Sequence, residues 1–164
     1  MILRCTAKLL DLLDAPALTL ADACASDDDW YANLIWLDRR KSLVLMHSGT
    51  LFPVFLADVR KRDLQPIGPY VVESIAVALS QEHLPRSALG ELDPNSVQLA
   101  RTASRSVLGF MTEIALEARY QIEAAGSLDS TDTEALNKRL RRTLHNRNGY
   151  HQPLELVTER LQRS

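Results

Sequence analysis

The sequence contains only two cysteines, Cys5 and Cys24, which are too few and too isolated for a disulfide framework or a Cys-x-x-Cys metal site. No apolar run approaches the roughly 18 to 20 uninterrupted residues that cross a bilayer. Arg4, Lys8 and Asp11 interrupt the apolar start before it resembles an export signal. These absences predict a protein without a membrane segment in a reducing cytoplasm.

Neither sign of charge dominates, because 19 Lys and Arg residues stand against 21 Asp and Glu residues, giving a formal net charge of −2. Such a balance gives no overall attraction to nucleic acid or membrane, so any basic function must be local. The 164 residues are 46% apolar. We therefore expect one domain spanning residues 1–164, which can bury its core without a metal or a disulfide.

Several signatures of chemistry are missing. There is no Gly-x-Ser-x-Gly elbow to expose a nucleophilic serine. No two histidines fall three or four residues apart on a predicted helix, and the run Asp27 to Asp29 lacks the spaced ligands and glycine of a calcium loop. The sequence therefore predicts no metal and no cofactor, and it assigns no catalytic residue.

Hydrophobic periodicity predicts an α+β fold. Met1–Cys5 reads as a strand, and residues 30–55 read as three antiparallel strands joined by tight turns. Apolar residues recur at helical spacing after Thr6, Gly68, Ser106, Thr131 and Pro153. Residues 96–102 fit either a strand or a backward extension of the next helix. We expect a small antiparallel sheet of roughly three to five strands, including the 30–55 meander, covered by about four to five helices.

Three finer expectations concern burial and capping. Trp30, Tyr31 and Trp36 lie in an apolar strand, so we expect all of them to be buried and unavailable as stacking platforms. Residues 14–29 carry five aspartates and no cation, which predicts a solvated loop. Thr131–Glu134 matches a capping box, and the helix that follows is expected to reach about Leu144, with a buried stripe of leucines at positions 136, 140 and 144.

The stretch ARTASRSVLGFM, residues 100–111, alternates hydroxyls with arginines before it turns apolar. If a helix begins at Ser104 or Ser106, its free N–H groups could hold a phosphate or carboxylate, with Arg101 and Arg105 adding contacts. The alternative is that one serine caps the helix, which is the commonest use of such residues.

An enzymatic interpretation places this helix start in a pocket. A phosphorylated small molecule or nucleic acid would bind at Ser104–Ser106, and Arg105, Asn33 or His47 would assist. This hypothesis requires Arg105, His47 and Asn33 to converge on one concavity.

Arginine-rich clusters are the most informative polar feature. Arg39–Lys41 lies at the predicted hairpin tip, Arg60–Arg62 follows the third strand, and residues 135–154 contain no acid. The candidate polyanion-binding residues are Arg39, Arg40, Lys41, Arg60, Lys61, Lys138, Arg139, Arg141, Arg142 and Arg147. The alternative is a solvated helix face and a hairpin tip kept polar against edge pairing.

Several ordered motifs resemble one known family. They include Trp30–Leu34, Asp38–Lys41, Asp58–Lys61 and Ser104–Gly109, and with the N-terminal strand and residues 137–150 they span nearly the whole chain. The sequence is similar to small bacterial proteins grouped as a domain of unknown function, a resemblance that implies no reaction or ligand. It departs from the family pattern at Phe110, where a small residue is expected, and at Thr112–Glu113, where an Asn–acid pair is expected.

Three functions follow from these features. The first is a non-enzymatic binding module whose arginine clusters contact nucleic acid or another polyanion. The second is the enzyme with the helix N-terminal anion site. The third is a module that binds a protein partner or a second copy of the chain, so that a homo-oligomer forms.

Overall fold

The computed structural model describes residues 1–164, which form seven strands and five helices. The strands are β1 (Ile2–Cys5), β2 (Trp30–Leu37), β3 (Arg40–His47), β4 (Pro53–Leu56), β5 (Gln98–Arg101), β6 (His145–Asn146) and β7 (Tyr150–His151). The helices are α1 (Ala7–Leu12), α2 (Ile67–Gln81), α3 (Arg105–Ala125), α4 (Thr133–Leu140) and α5 (Pro153–Arg163). Short 3-10 turns lie at Ala17–Thr19 and Lys61–Leu64. None of the helices is both long and apolar enough to span a bilayer.

The central sheet has five strands in the order β4-β3-β2-β1-β5, and β6 and β7 form a separate small hairpin. The antiparallel meander of β2, β3 and β4 confirms the expected pairing of residues 30–55. The expectation of an antiparallel sheet is wrong, because β1 runs parallel to both β2 and β5. The long connections that separate β1 from β2 and β5 along the chain permit this parallel arrangement. The fold is therefore α+β with a mixed sheet.

Alternate residues of the strands feed two hydrophobic cores on opposite faces of the sheet. One face carries Trp30 and Leu45, among others, and packs against α1, α2 and α5. The other carries Tyr31 and Met46 and packs against α3 and α4. Helices on both faces explain why β2 and β3 read as nearly continuous apolar runs.

The α4 helix differs from its prediction at both ends. Its N-terminal cap is Asp132, whose carboxylate accepts a hydrogen bond from the backbone N–H of Ala135 at 3.0 Å, so the helix does not use Thr131 as the cap. The helix ends at Leu140, and Leu144 is therefore exposed instead of extending the buried leucine stripe. Asn137 faces the sheet from this helix.

Asn137 closes the outer edge of β4. Its side-chain amide accepts a hydrogen bond from the Phe55 backbone N–H at 2.7 Å and donates to the Phe55 carbonyl at 2.9 Å, as a neighbouring strand would. An exposed edge of this kind otherwise invites pairing with another chain.

Arg4 of β1 forms a buried ion pair with Asp29, the residue that precedes β2. The Arg4 Nε lies 2.5 Å from Asp29 Oδ2, and both side chains are about one-twentieth exposed or less. Arg4 also donates to the carbonyls of Arg101 and Ala23, and Asp29 Oδ2 accepts from the Ser26 backbone N–H. The acidic segment was expected to be a solvated loop, but at its C-terminal end it is fixed to the sheet by a cation that lies far away in sequence.

We predict that Asp29→Asn destabilises the protein by about 3 to 5 kcal/mol, because it leaves the buried Arg4 guanidinium without its counter-charge. Urea denaturation at neutral pH measures this loss. Asp27→Asn is the matched control, since the Asp27 side chain is 79% exposed and lies 3.9 Å from Arg147, and it should change the free energy of unfolding by less than about 0.5 kcal/mol. Equal effects of the two changes would contradict the importance of the buried pair.

We further predict that Asn137→Ala costs about 2 to 4 kcal/mol, since both hydrogen-bonding groups of Phe55 lose their partner at the buried edge of β4. The neighbouring Lys138→Ala removes only a partly exposed i,i+4 ion pair with Glu134, and its effect should stay within about 0.5 kcal/mol. Denaturant unfolding measures the free energy of unfolding of both variants. A similar loss in both would show that any change in α4 destabilises the protein, whatever happens at the edge of β4.

Candidate functional site

The helix N-terminus at Ser104 is occupied by the protein's own groups. Ser104 is the N-cap of α3, and its hydroxyl accepts a hydrogen bond from the Val107 backbone N–H at 3.2 Å. The buried Tyr31 hydroxyl lies beside the backbone amides of Ala103 and Ser104, although it makes no hydrogen bond of good geometry. The geometry therefore matches the capping interpretation. Arg101, Arg105 and Ser106 are exposed around the helix start, and neither arginine forms an ion pair.

His47 lies in the core on the face of the sheet opposite α3, the helix that begins with Arg105. Its ring contacts Trp30 edge-on, with 5.3 Å between ring centroids. The Thr50 backbone N–H donates to His47 Nδ1 at 3.3 Å, which leaves the proton of the neutral ring on Nε2, a buried atom without a partner. Burial lowers the pKa of His47 to about 4, with a smaller contribution from the positive charge of Arg160. His47 is thus a neutral core histidine.

Asn33 occupies the face of the sheet away from His47. It pairs in register with Val44, and its amide oxygen accepts a hydrogen bond from the Thr6 hydroxyl at 3.1 Å. Because His47 and Asn33 lie on opposite faces of the sheet, they cannot line a common pocket with Arg105. Arg105, His47 and Asn33 therefore do not meet at one concavity, although the enzymatic interpretation requires it.

The cations of the acid-free window, residues 135–154, pair with acids that lie outside it. Arg139 pairs with Glu117 of α3, Lys138 pairs with Glu134, and Arg141 and Arg142 both pair with Glu82. Arg147 donates to the Ser48 carbonyl at 2.6 Å. Arg141 is only 1% exposed, so it cannot contact a partner on the surface. This part of the predicted polyanion site does not form a free basic face.

The other two clusters meet at the tip of the β2–β3 hairpin. The Val59 backbone N–H donates to the Lys41 carbonyl at 2.8 Å, which places residues 60–62 beside the start of β3. Arg40 is held by Asp129 through two hydrogen bonds of 2.7 and 2.8 Å, and Lys61 pairs with Asp14. The remaining cations here, which form no ion pair, are Arg39, Lys41, Arg60 and Arg62.

Trp36 lies beside one of these cations, Lys41, and its predicted burial is wrong. It is 54% exposed near the end of β2, and the Lys41 ammonium sits 4.9 Å from its ring centroid. A cleft of about 340 Å³ opens beside it, bordered at the C-terminal end of α3 by Arg119 and Glu123. We name Trp36, Arg39, Lys41, Arg60 and Arg62 the basic hairpin edge. The nearly continuous apolar run of β2 hid this exposure, which occurs one residue before the end of the strand.

His145 is a polar residue of the core. Its Nδ1 lies 3.1 Å from Glu113 Oε2 of α3, and its ring packs edge-on against Phe110. The Nε2 atom is buried without a partner. No cluster of three or more potential ligands forms a metal site anywhere in the described chain.

Comparison with protein families identifies the group to which these features belong. A family model described as a domain of unknown function (DUF6933) matches residues 2–156. The chain belongs to this family. The match confirms the resemblance given by the ordered motifs. No curated protein and no solved structure matches the chain.

The positions at which the sequence was expected to depart from the family pattern, 110 and 112–113, lie together on α3. Phe110 and Glu113 both contact His145, and the Thr112 hydroxyl donates back to the Leu108 carbonyl at 3.0 Å. The aromatic ring at 110 therefore belongs to the packing of the β6–β7 hairpin. Phe110 and Glu113 thereby attach α3 to the β6–β7 hairpin through His145.

The low pKa of His47 predicts a pH-dependent contribution to stability. The unfolded histidine, with an ordinary pKa of 6.5, binds a proton that the folded ring does not bind until the pH approaches about 4. The contribution is therefore present above pH 6.5 and falls by about 3 kcal/mol as the pH drops to 4. His47→Asn, which keeps an acceptor for Thr50, should lack this loss when unfolding is measured across that range. Parallel pH profiles for the two proteins would refute the assignment.

Proposed function

We propose that this protein is a non-enzymatic binding module whose basic hairpin edge contacts single-stranded nucleic acid. The observation that carries the proposal is the half-exposed Trp36 with the Lys41 ammonium over its ring, at a hairpin tip whose remaining cations form no ion pair. Exposed aromatics that stack on bases and cations that contact phosphates are the two components of a single-strand binding surface.

The aspartates around the hairpin support this interpretation, because each one has a partner within the protein. Asp58 and Asp129 face Arg40, and Asp14 pairs with Lys61. Asp38 accepts a hydrogen bond from the Leu128 N–H, and Asp63 accepts one from the Arg60 N–H. The hydrogen bond from Arg40 lowers the pKa of Asp129, so this acid stays ionised and paired. The cations of the basic hairpin edge are left to attract phosphates.

Planar guanidinium groups suit the recognition of phosphate oxygens, and three of the four cations are arginines. The binding they provide is electrostatic and independent of sequence, while Trp36 adds stacking that any base can satisfy. We place this activity in the cytoplasm of a bacterium. Both cysteines are free, and burial raises the pKa of the Cys5 thiol to about 12, which leaves it unreactive.

The test uses a fluorescein-labelled mixed-sequence oligonucleotide of about 20 nucleotides, long enough to cover one binding surface. Fluorescence anisotropy at two salt concentrations should show binding that weakens as salt rises. Trp36→Leu should reduce the affinity by about 5- to 100-fold, the value of one stacked base. Trp30 is fully buried, so quenching of the protein's tryptophan emission by the oligonucleotide reports Trp36 directly.

The arginines are tested separately from the tryptophan. Arg60→Gln with Arg62→Gln should lower the salt dependence of binding by about one phosphate contact for each arginine removed. Arg101→Gln with Arg105→Gln is the matched control, since these arginines are equally exposed and unpaired but flank the start of α3, and this pair should bind like the parent. Binding that no variant of the basic hairpin edge changes, or the absence of binding at low salt, refutes the proposal. Heparin binding that is insensitive to Trp36→Leu would identify a general polyanion surface instead.

A further inference from the structure

A second concavity, of about 430 Å³, lies between β4, α2 and α4. Its walls are mostly apolar and include Val54, Leu56, Tyr70, Val77 and Ala78. A space of this size with mostly apolar walls is typical of a small-molecule site. It lies away from the basic hairpin edge and is independent of the function proposed for it.

Most polar groups in the cavity wall are already paired. The Asn137 amide is bound to the backbone of Phe55, and the Ser74 hydroxyl donates to the Tyr70 carbonyl at 2.7 Å. Gln81 accepts a hydrogen bond from Arg141 at 3.3 Å. Glu73 is exposed, which places its negative charge at the rim and not in the interior.

Arg141 is the positively charged residue of the cavity wall. Its Nε donates to the Pro53 carbonyl at 3.5 Å, and its Nη1 donates to Glu82 Oε1 at 3.1 Å as well as to Gln81. Its Nη2 donates no hydrogen bond, although the residue is only 1% exposed and its guanidinium lies over the Phe52 ring. This N–H has no acceptor within the protein, so it is free to donate a hydrogen bond to a ligand that enters the cavity.

Arg141 has Glu82 as its counter-ion. Glu82 is shared, because Arg142 donates to both of its carboxylate oxygens at 2.7 and 3.1 Å while Arg141 contacts one of them. Burial lowers the pKa of Arg141, against the opposing effect of its hydrogen bond to Glu82. Glu82 thus divides its contacts between two guanidiniums, so Arg141 shares its counter-ion with Arg142.

We propose that this cavity binds a small amphipathic carboxylate, whose apolar chain packs against Val54, Leu56 and Val77 and whose carboxylate accepts a hydrogen bond from Arg141 Nη2. Charge-assisted hydrogen bonds to guanidinium are among the strongest available to a carboxylate. Glu73 at the rim fixes the orientation, since it repels a carboxylate placed at the entrance and favours one placed beside Arg141.

The experiment compares three ligands of equal chain length, octanoate, octanol and octylammonium, in titrations of the full chain followed by amide NMR. Octanoate should bind about tenfold or more tightly than octanol, because only the carboxylate pairs with Arg141. Octylammonium should bind weakest. The shifts should concentrate on residues of β4 and α2. Equal binding of octanoate and octanol, or no octanoate binding at millimolar concentration, overturns the proposal.

Two variants locate the site. Val77→Trp fills the cavity from a position that is 47% exposed, so the protein should fold normally and lose octanoate binding. Leu116→Trp, at a 58% exposed position on α3 outside the cavity, is the matched control and should bind octanoate like the parent. Arg141→Gln should remove the preference for octanoate over octanol. If Arg141→Gln does not fold, Val77→Trp and the ligand comparison decide the matter, and unchanged octanoate binding in Val77→Trp rejects the cavity.

Discussion

The buried ion pair between Arg4 and Asp29 is the contact on which the placement of the chain's acidic segment depends. A guanidinium in a weakly screened interior is stable only when its donors are satisfied, and Arg4 meets that requirement through Asp29 and the carbonyls of Ala23 and Arg101. The Asp29 carbonyl in turn accepts from the Ser48 N–H, which brings the β3–β4 turn against the same segment. One cation on β1 thereby ties together β5, the acidic segment and the meander.

Charges in this protein are paired over long sequence distances. For this reason the arginine-rich window predicted a free basic surface that the structure does not have. Residues 135–154 contain no acid, yet Glu82 of the α2 end and Glu117 of α3 neutralise three of the arginines. The hairpin tip keeps cations that form no ion pair, as does the start of α3 with Arg101 and Arg105. The free charge of this protein is decided by its tertiary structure and not by local composition.

The sequence predicts local features of this fold better than its long-range ones. Helices α2 and α3 and the meander follow from periodicity and stop signals, including Gly126, whose positive φ of 95° ends α3. The insertion of β1 between β2 and β5 was not predictable, since strand patterning shows which residues form a strand but not their neighbours. Within the candidate sites, the cap at Ser104 was foreseen. The exposure of Trp36 was not foreseen, because β2 is apolar almost to its end and an apolar run predicts burial.

The two cationic sites differ in a way that follows from their burial. Arg60 and Arg62 are exposed, so their attraction for a partner is weakened by salt and acts from a distance. Arg141 is enclosed, shares its counter-ion and can act only on a ligand that enters the cavity, where salt screens little. The basic hairpin edge therefore suits an extended, multiply charged partner that binds and leaves quickly. The cavity suits a single negative charge joined to an apolar body, so the two sites can be occupied independently.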